Sequence, residues 1–133
     1  MINVVIDTNI VISTALSKTG NPAKIVNHIL DKEEIQIFYT TKIFAEYKKV
    51  LAYKRLNIDV ESQKSILKEI SEIGILIEPT PSTIPMLDET DRIFYDTARE
   101  SGATLITGNT KHYPSEAFIM TPGEFFTKLA QGF

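Results

Sequence analysis

The chain has 133 residues, a formal charge of −3 and no cysteine. That length suits a single domain spanning residues 1–133, able to bury roughly two-thirds of its unfolded surface without staples, and the missing cysteine excludes a disulfide scaffold and fits a reducing cytoplasm. The acidic balance argues against nucleic-acid binding by bulk charge, except where clustered carboxylates are offset by divalent cations and the basic residues set the outer field. The opening apolar run is too short for a signal peptide and lacks a basic flank. No segment reaches the length of a membrane span.

Val4, Val5 and Ile6 are apolar without alternation. Such a run predicts a strand buried on both faces of a parallel sheet. It stops at Asp7-Thr8-Asn9. Because ligands gather at the carboxyl ends of parallel strands, one reading puts Asp7 at the functional edge of the fold. An equal reading has Asp7 and Asn9 capping the next helix, over Asn9 to Leu16. Lys18 to Pro22 reads as a loop, and Ala23 to Leu30 as an amphipathic helix with Ile25, Val26, Ile29 and Leu30 inward and His28 in solvent.

Ile35 to Tyr39 is a second predicted strand, and Thr40 or Thr41 caps a helix running to Ala52. Ile43, Phe44, Tyr47, Val50 and Leu51 form its apolar stripe, and Glu46 lies about 100° from the stripe's centre, bordering the buried face. Lys48, Lys49, Lys54 and Arg55 fall on the other side or just beyond. Asp59 to Ile73 is a further amphipathic helix, with Ile66, Leu67, Ile70 and Ile73 inward and Gly74 ending it.

Ile75 to Ile77 reads as a strand, and the Pro79, Pro81 and Pro85 region as a loop. Asp91 to Ser101 is a helix with Ile93, Phe94, Thr97 and Ala98 inward, stopped by Gly102. Thr104 to Thr107 is a buried strand ending at Gly108-Asn109, which repeats the logic of the first. Phe118 to Met120 is a last strand, and Thr121-Pro122-Gly123-Glu124 opens a helix with a capping box. The alternation predicts an α/β domain with a mostly parallel sheet of about five strands.

Three acids have a common reason to meet: Asp7 ends a strand, Glu46 borders a buried helix face, and Asp91 opens a helix just before the strand that ends near Asn109. Carboxylates brought together repel one another unless a cation holds them. Hard divalent ions such as Mg²⁺ or Mn²⁺ take such oxygen ligands, and the matching chemistry is phosphodiester hydrolysis. Each acid also has a plainer reading: Asp91 as a cap paired with Asp88, and Glu46 as a solvated helix glutamate. Asp96, roughly 140° around the helix from Asp91, is expected on the outward side as a reserve ligand.

Asp7-Thr8-Asn9-Ile10, Phe44-Ala45-Glu46-Tyr47, the helix Asp91-Arg-Ile-Phe-Tyr-Asp-Thr-Ala98 and the strand end Thr104-Leu-Ile-Thr107-Gly108-Asn109 resemble, in order and spacing, the motifs of PIN-domain ribonucleases. The likeness is nearest to bacterial members classed as toxin components of toxin–antitoxin pairs. It implies a three-layer α/β/α fold and a Mg²⁺- or Mn²⁺-dependent endoribonuclease in which Asp7, Glu46 and Asp91 bind metal. It further implies that Thr107 and Asn9 support the site, and that RNA, a cognate antitoxin protein and a second copy of the chain are partners.

Many relatives carry a fourth acid where this chain has Asn109, whose amide oxygen still ligates a metal or orients water without adding charge. Lys48, Lys49, Lys111 and His112 are candidate RNA contacts. Tyr39, Tyr47, Tyr53, Tyr95 and Tyr113 are expected mostly in the core or rim, with base stacking as their other use. Two rivals are a PIN-fold module that binds RNA or protein without cleaving, motivated by Asn109, and a phosphatase of the haloacid-dehalogenase type. The latter usually wants a second acid where Asn9 stands.

Overall fold

A computed structural model describes residues 1–17, 26–28 and 34–133. The predicted loop at 18–22 and helix at 23–30 lie outside the described residues, apart from the helical residues 26–28, where Val26 is buried. His28 is half-buried and meets Phe126 edge-on at 6.2 Å, so it is not a purely solvated side chain.

The elements in chain order are β1 (Ile2–Ile6), α1 (Thr8–Leu16), β2 (Ile35–Tyr39), α2 (Thr41–Leu51), α3 (Val60–Ile73), β3 (Ile75–Leu76), α4 (Arg92–Ser101), β4 (Thr104–Ile106), β5 (Ile119–Met120) and α5 (Pro122–Gln131). The five strands form one sheet in the order β3-β2-β1-β4-β5, and every pairing is parallel. Helices flank this sheet as a three-layer α/β/α arrangement. Among them, α4 packs on β1, β2 and β4, and α1 packs against α2.

The carboxyl half of β1 suits the middle of the sheet: Val4, Val5 and Ile6 are almost fully buried, as continuous apolar runs in parallel sheets are. Its register decides which residues meet at the carboxyl edge. Ile6 stands opposite Ile106, so Asp7 and Thr107, one residue further along each strand, come side by side. Asp7 N–H donates to the Ile106 carbonyl at 2.9 Å.

The helix starts obey the capping chemistry of the sequence. Thr40 accepts from Ile43 N–H at 3.0 Å, Asp59 accepts from Ser62 N–H at 3.0 Å, and Thr121 with Glu124 forms a reciprocal capping box. Two features depart from the sequence pattern. Ile73, at the end of α3, and both residues of β3 are exposed; β3 is an outer strand of the sheet and pairs only with β2. Gly74 ends α3 without a left-handed turn, its φ being −81°.

Gly74 instead supplies space, since an added Cβ would lie 2.6 Å from the Ile70 carbonyl oxygen and 2.6 Å from the Tyr39 ring. Gly74→Ala is therefore expected to destabilise the fold by about 1–3 kcal/mol, read as a lower urea midpoint with an unchanged slope.

Candidate active site

Asp7 sits at the N-cap position of α1, yet its side chain makes no capping bond. Its Oδ2 accepts instead from the Thr107 hydroxyl and the Tyr113 hydroxyl, each at 2.8 Å. Asp7 is 7% exposed and Thr107 is fully buried. A carboxylate withdrawn from water to this degree depends on such charge-assisted donors, each contributing about 1.5–3 kcal/mol. Among the described residues neither donor is shared with Oδ1. The cap reading of Asp7 is thereby set aside.

Glu46 is half-buried on α2 and accepts from the Thr8 hydroxyl. The next residue, Tyr47, is completely buried and donates its hydroxyl to the Ile6 carbonyl, the last of β1. Adjacent side chains of α2 thus grip the end of β1 and the start of α1, which ties Glu46 to the residue that follows Asp7. Burial first, and then the negative charges of Asp7 and Glu46, hold the Tyr47 phenol well above its ordinary range, so it stays a donor.

Asp91 is positioned by the 3₁₀ turn Glu89–Asp91. The turn is capped by Asp88, which accepts from Thr90 N–H at 2.9 Å and from its hydroxyl at 2.8 Å. Arg92 braces it from beyond with a two-pronged bond to Glu89, both contacts 2.7 Å, and a 2.8 Å bond to the Ser82 carbonyl. Asp88 therefore does the capping, and Asp91 has no side-chain cap bond. Its carboxyl is pushed up to about 6 by partial burial first, then by the negative charges of Asp7, Asp88 and Glu46, with His112 pulling the other way. Asp91 and the two earlier acids therefore share one field.

The remaining predicted residues fall into place around this centre. Asn9 accepts from Gly108 N–H at 3.1 Å, so it ties the start of α1 to the residues that follow β4. Asn109 is exposed, and its N–H donates to the Thr107 hydroxyl oxygen at 3.2 Å. Its side chain lines a cleft of about 350 Å³ with Asn9, Ser13 and Gly123. Lys48, Lys49, Lys111 and His112 are all exposed.

Asp96 corrects the expectation that it faces outward. It is 4% exposed, and its Oδ2 accepts from Ser82 N–H at 2.9 Å. The proline-containing loop after β3 covers that side of α4, which helical periodicity alone does not reveal. Tyr113, Tyr47 and Thr8 are the site residues that sequence reasoning missed. No local signal marked Tyr113, which reaches the site from a turn beyond β4.

Whether these residues suit a divalent cation is a question of charge and donor type. Among the described residues no three His, Cys, Asp or Glu side chains are grouped so as to hold a metal ion. Mg²⁺ does not need such a group, since it keeps several waters and takes one or two carboxylates. The donors here are hard oxygens, and the raised Asp91 carboxyl registers uncompensated negative charge that a cation would neutralise. The residues fit.

The chain matches the PIN domain family model over residues 3–111. It belongs to the PIN domain family. This PIN domain is also similar to an uncharacterized protein of Methanocaldococcus jannaschii, at 32% identity over 111 residues that cover 81% of this chain and 71% of the relative. PIN domains are generally nucleases that use divalent metal ions. No helix among the described residues of this PIN domain is long and apolar enough to cross a membrane.

The mutual repulsion of the acids has a consequence for stability without metal. Asp91→Asn removes one charge from the cluster and is expected to raise the unfolding free energy at pH 7.5, in chelator-treated buffer, by about 1 kcal/mol after allowance for solvent screening. Urea titration of the two proteins side by side checks it.

Proposed function

We propose that this PIN domain is an endoribonuclease that hydrolyses RNA phosphodiester bonds with Mg²⁺ or Mn²⁺ held by Asp7, Glu46 and Asp91. The observation that carries the reading is the PIN family match over residues 3–111, and the pull of the Asp7 and Glu46 charges on the Asp91 carboxyl supports it. When bound, the metal activates water and stabilises charge on the scissile phosphate.

The chain's own residues supply orientation and field. Thr107 and Tyr113 hold Asp7 by one oxygen, Thr8 holds Glu46, and the braced turn before α4 presents Asp91. Lys48, Lys49, Lys111 and His112 offer exposed cationic or donor groups to the phosphates flanking the cleavage site. Asn109, at the mouth of the cleft beside β4, supplies an amide to orient water or substrate.

The likeness to toxin components extends the proposal: the chain is the toxin of a toxin–antitoxin pair, active in the cytoplasm, neutralised by a cognate protein and assembled as a homodimer. Expression of the chain is then expected to arrest growth, and Asp7→Asn to relieve the arrest. A second reading, a PIN module that binds RNA or protein without cutting, is motivated by the neutral Asn109. The PIN match speaks against the haloacid-dehalogenase alternative.

Asp7→Asn and Asp91→Asn are each expected to lower Mn²⁺-dependent cleavage of structured RNA by about 100-fold or more, with circular dichroism unchanged. Full activity in both variants contradicts the proposal. RNA binding without any metal-dependent cleavage by the unaltered chain favours the second reading.

A further inference from the structure

We propose that Tyr113 is a positioning residue for the metal site: together with Thr107 it occupies Oδ2 of Asp7 and so turns Oδ1 toward the cation. The inference rests on the reading of Asp7 as a metal ligand and goes beyond it by assigning a task to a residue outside the acid set. Three observations support it.

The first is stoichiometric. Both hydroxyls, from residues 100 and 106 positions away in sequence, converge on the same oxygen at 2.8 Å. Two charge-assisted donors fill the in-plane lone pairs of Oδ2, and among the described residues Oδ1 accepts from nothing. A carboxylate loaded on one oxygen has one orientation and one oxygen for a cation.

The second is that Tyr113 itself is held. It is 7% exposed, and it closes the 3₁₀ turn Thr110–His112, with Tyr113 N–H donating to the Thr110 carbonyl at 3.2 Å and His112 N–H to the Asn109 carbonyl at 3.2 Å. A ring fixed at both its backbone and its hydroxyl cannot follow Asp7 if the carboxylate rotates. The third is chemical: a buried phenol beside a carboxylate is a donor that does not itself compete for the metal, unlike a fourth acid. The partners of metal-bound carboxylates commonly tune affinity by 10- to 100-fold.

The arrangement also couples two parts of the site. Lys111 and His112 ride on the turn that Tyr113 ties to Asp7. The candidate phosphate contacts and the first metal ligand are therefore placed by the same anchor.

The test titrates Mn²⁺ alone into the unaltered chain, Tyr113→Phe, Thr107→Val and Asp7→Asn, following free Mn²⁺ by electron paramagnetic resonance and the metal-induced rise in Tm. Tyr113→Phe keeps the ring and loses one hydrogen bond, a loss that a domain of this size tolerates. Its Kd for Mn²⁺ is expected to rise about 10-fold. The metal-induced Tm rise, taken within each variant, shrinks accordingly, so it remains readable in a destabilised protein.

A lower metal-free Tm with unchanged Mn²⁺ affinity makes the hydroxyl merely structural and overturns the inference, as does loss of the fold in Tyr113→Phe. If Asp7→Asn itself leaves Mn²⁺ affinity unchanged, the reading of Asp7 as a ligand has failed. Loss of affinity in Asp7→Asn with none in Tyr113→Phe overturns the role of Tyr113 alone.

Discussion

The rest of the site depends on one buried carboxylate and the two hydroxyls that hold it. Asp7 ends the central strand, and a charge there is costly unless donors replace the water it has lost. Thr107 supplies one because the parallel register sets Ile6 against Ile106. Tyr113 supplies the other from a turn beyond β4. This knot joins β1, β4 and the basic turn at one point, so the sheet edge and the chemistry are specified together.

The sheet order explains why three distant stretches of chain supply one site. With β1 in the middle of β3-β2-β1-β4-β5, its carboxyl end is flanked by the end of β2 on one side and by that of β4 on the other. α2, which leads out of β2, brings Glu46 and grips β1 through Tyr47. α4, which packs on β1, β2 and β4, is preceded by the turn that brings Asp91. The elements that carry the acids lead to the edge where open parallel sheets commonly place their ligands, and the Asp91 carboxyl feels the charges of Asp7 and Glu46. The cost is electrostatic, and it appears in Asp91, whose carboxyl is held up by burial and by its acidic neighbours. Under the proposed function, a bound cation would relieve that strain.

Much of this was legible from local signals. The unbroken apolar run of β1 marked a doubly buried strand, and the capping residues Thr40, Asp59 and Thr121 marked helix starts because their side chains act on backbone groups two or three residues away. The expectation that Asp7, Glu46 and Asp91 converge came from strand ends and helix faces, and it stands as part of the proposed function. The features that escaped were non-local. Tyr113 reaches Asp7 across 106 positions, and no pattern distinguishes it from a core tyrosine. Asp96 lies on the polar side of α4 by periodicity, yet the loop bearing Ser82 folds over it and buries it. Gly74 ends α3 as its type suggests, but that its absent side chain makes room for Tyr39 is visible only in the fold. In each case a second segment of chain, not the local sequence, decided the environment.

The central claim is that the edge of the sheet at Asp7 is a divalent-cation site. Anomalous diffraction from a crystal of the protein soaked in Mn²⁺ tests it most directly. The account predicts an anomalous peak among Asp7, Glu46 and Asp91, with Oδ1 of Asp7 toward the ion and Oδ2 still on Thr107 and Tyr113. A soaked crystal with these acids well ordered and no peak between them would contradict it.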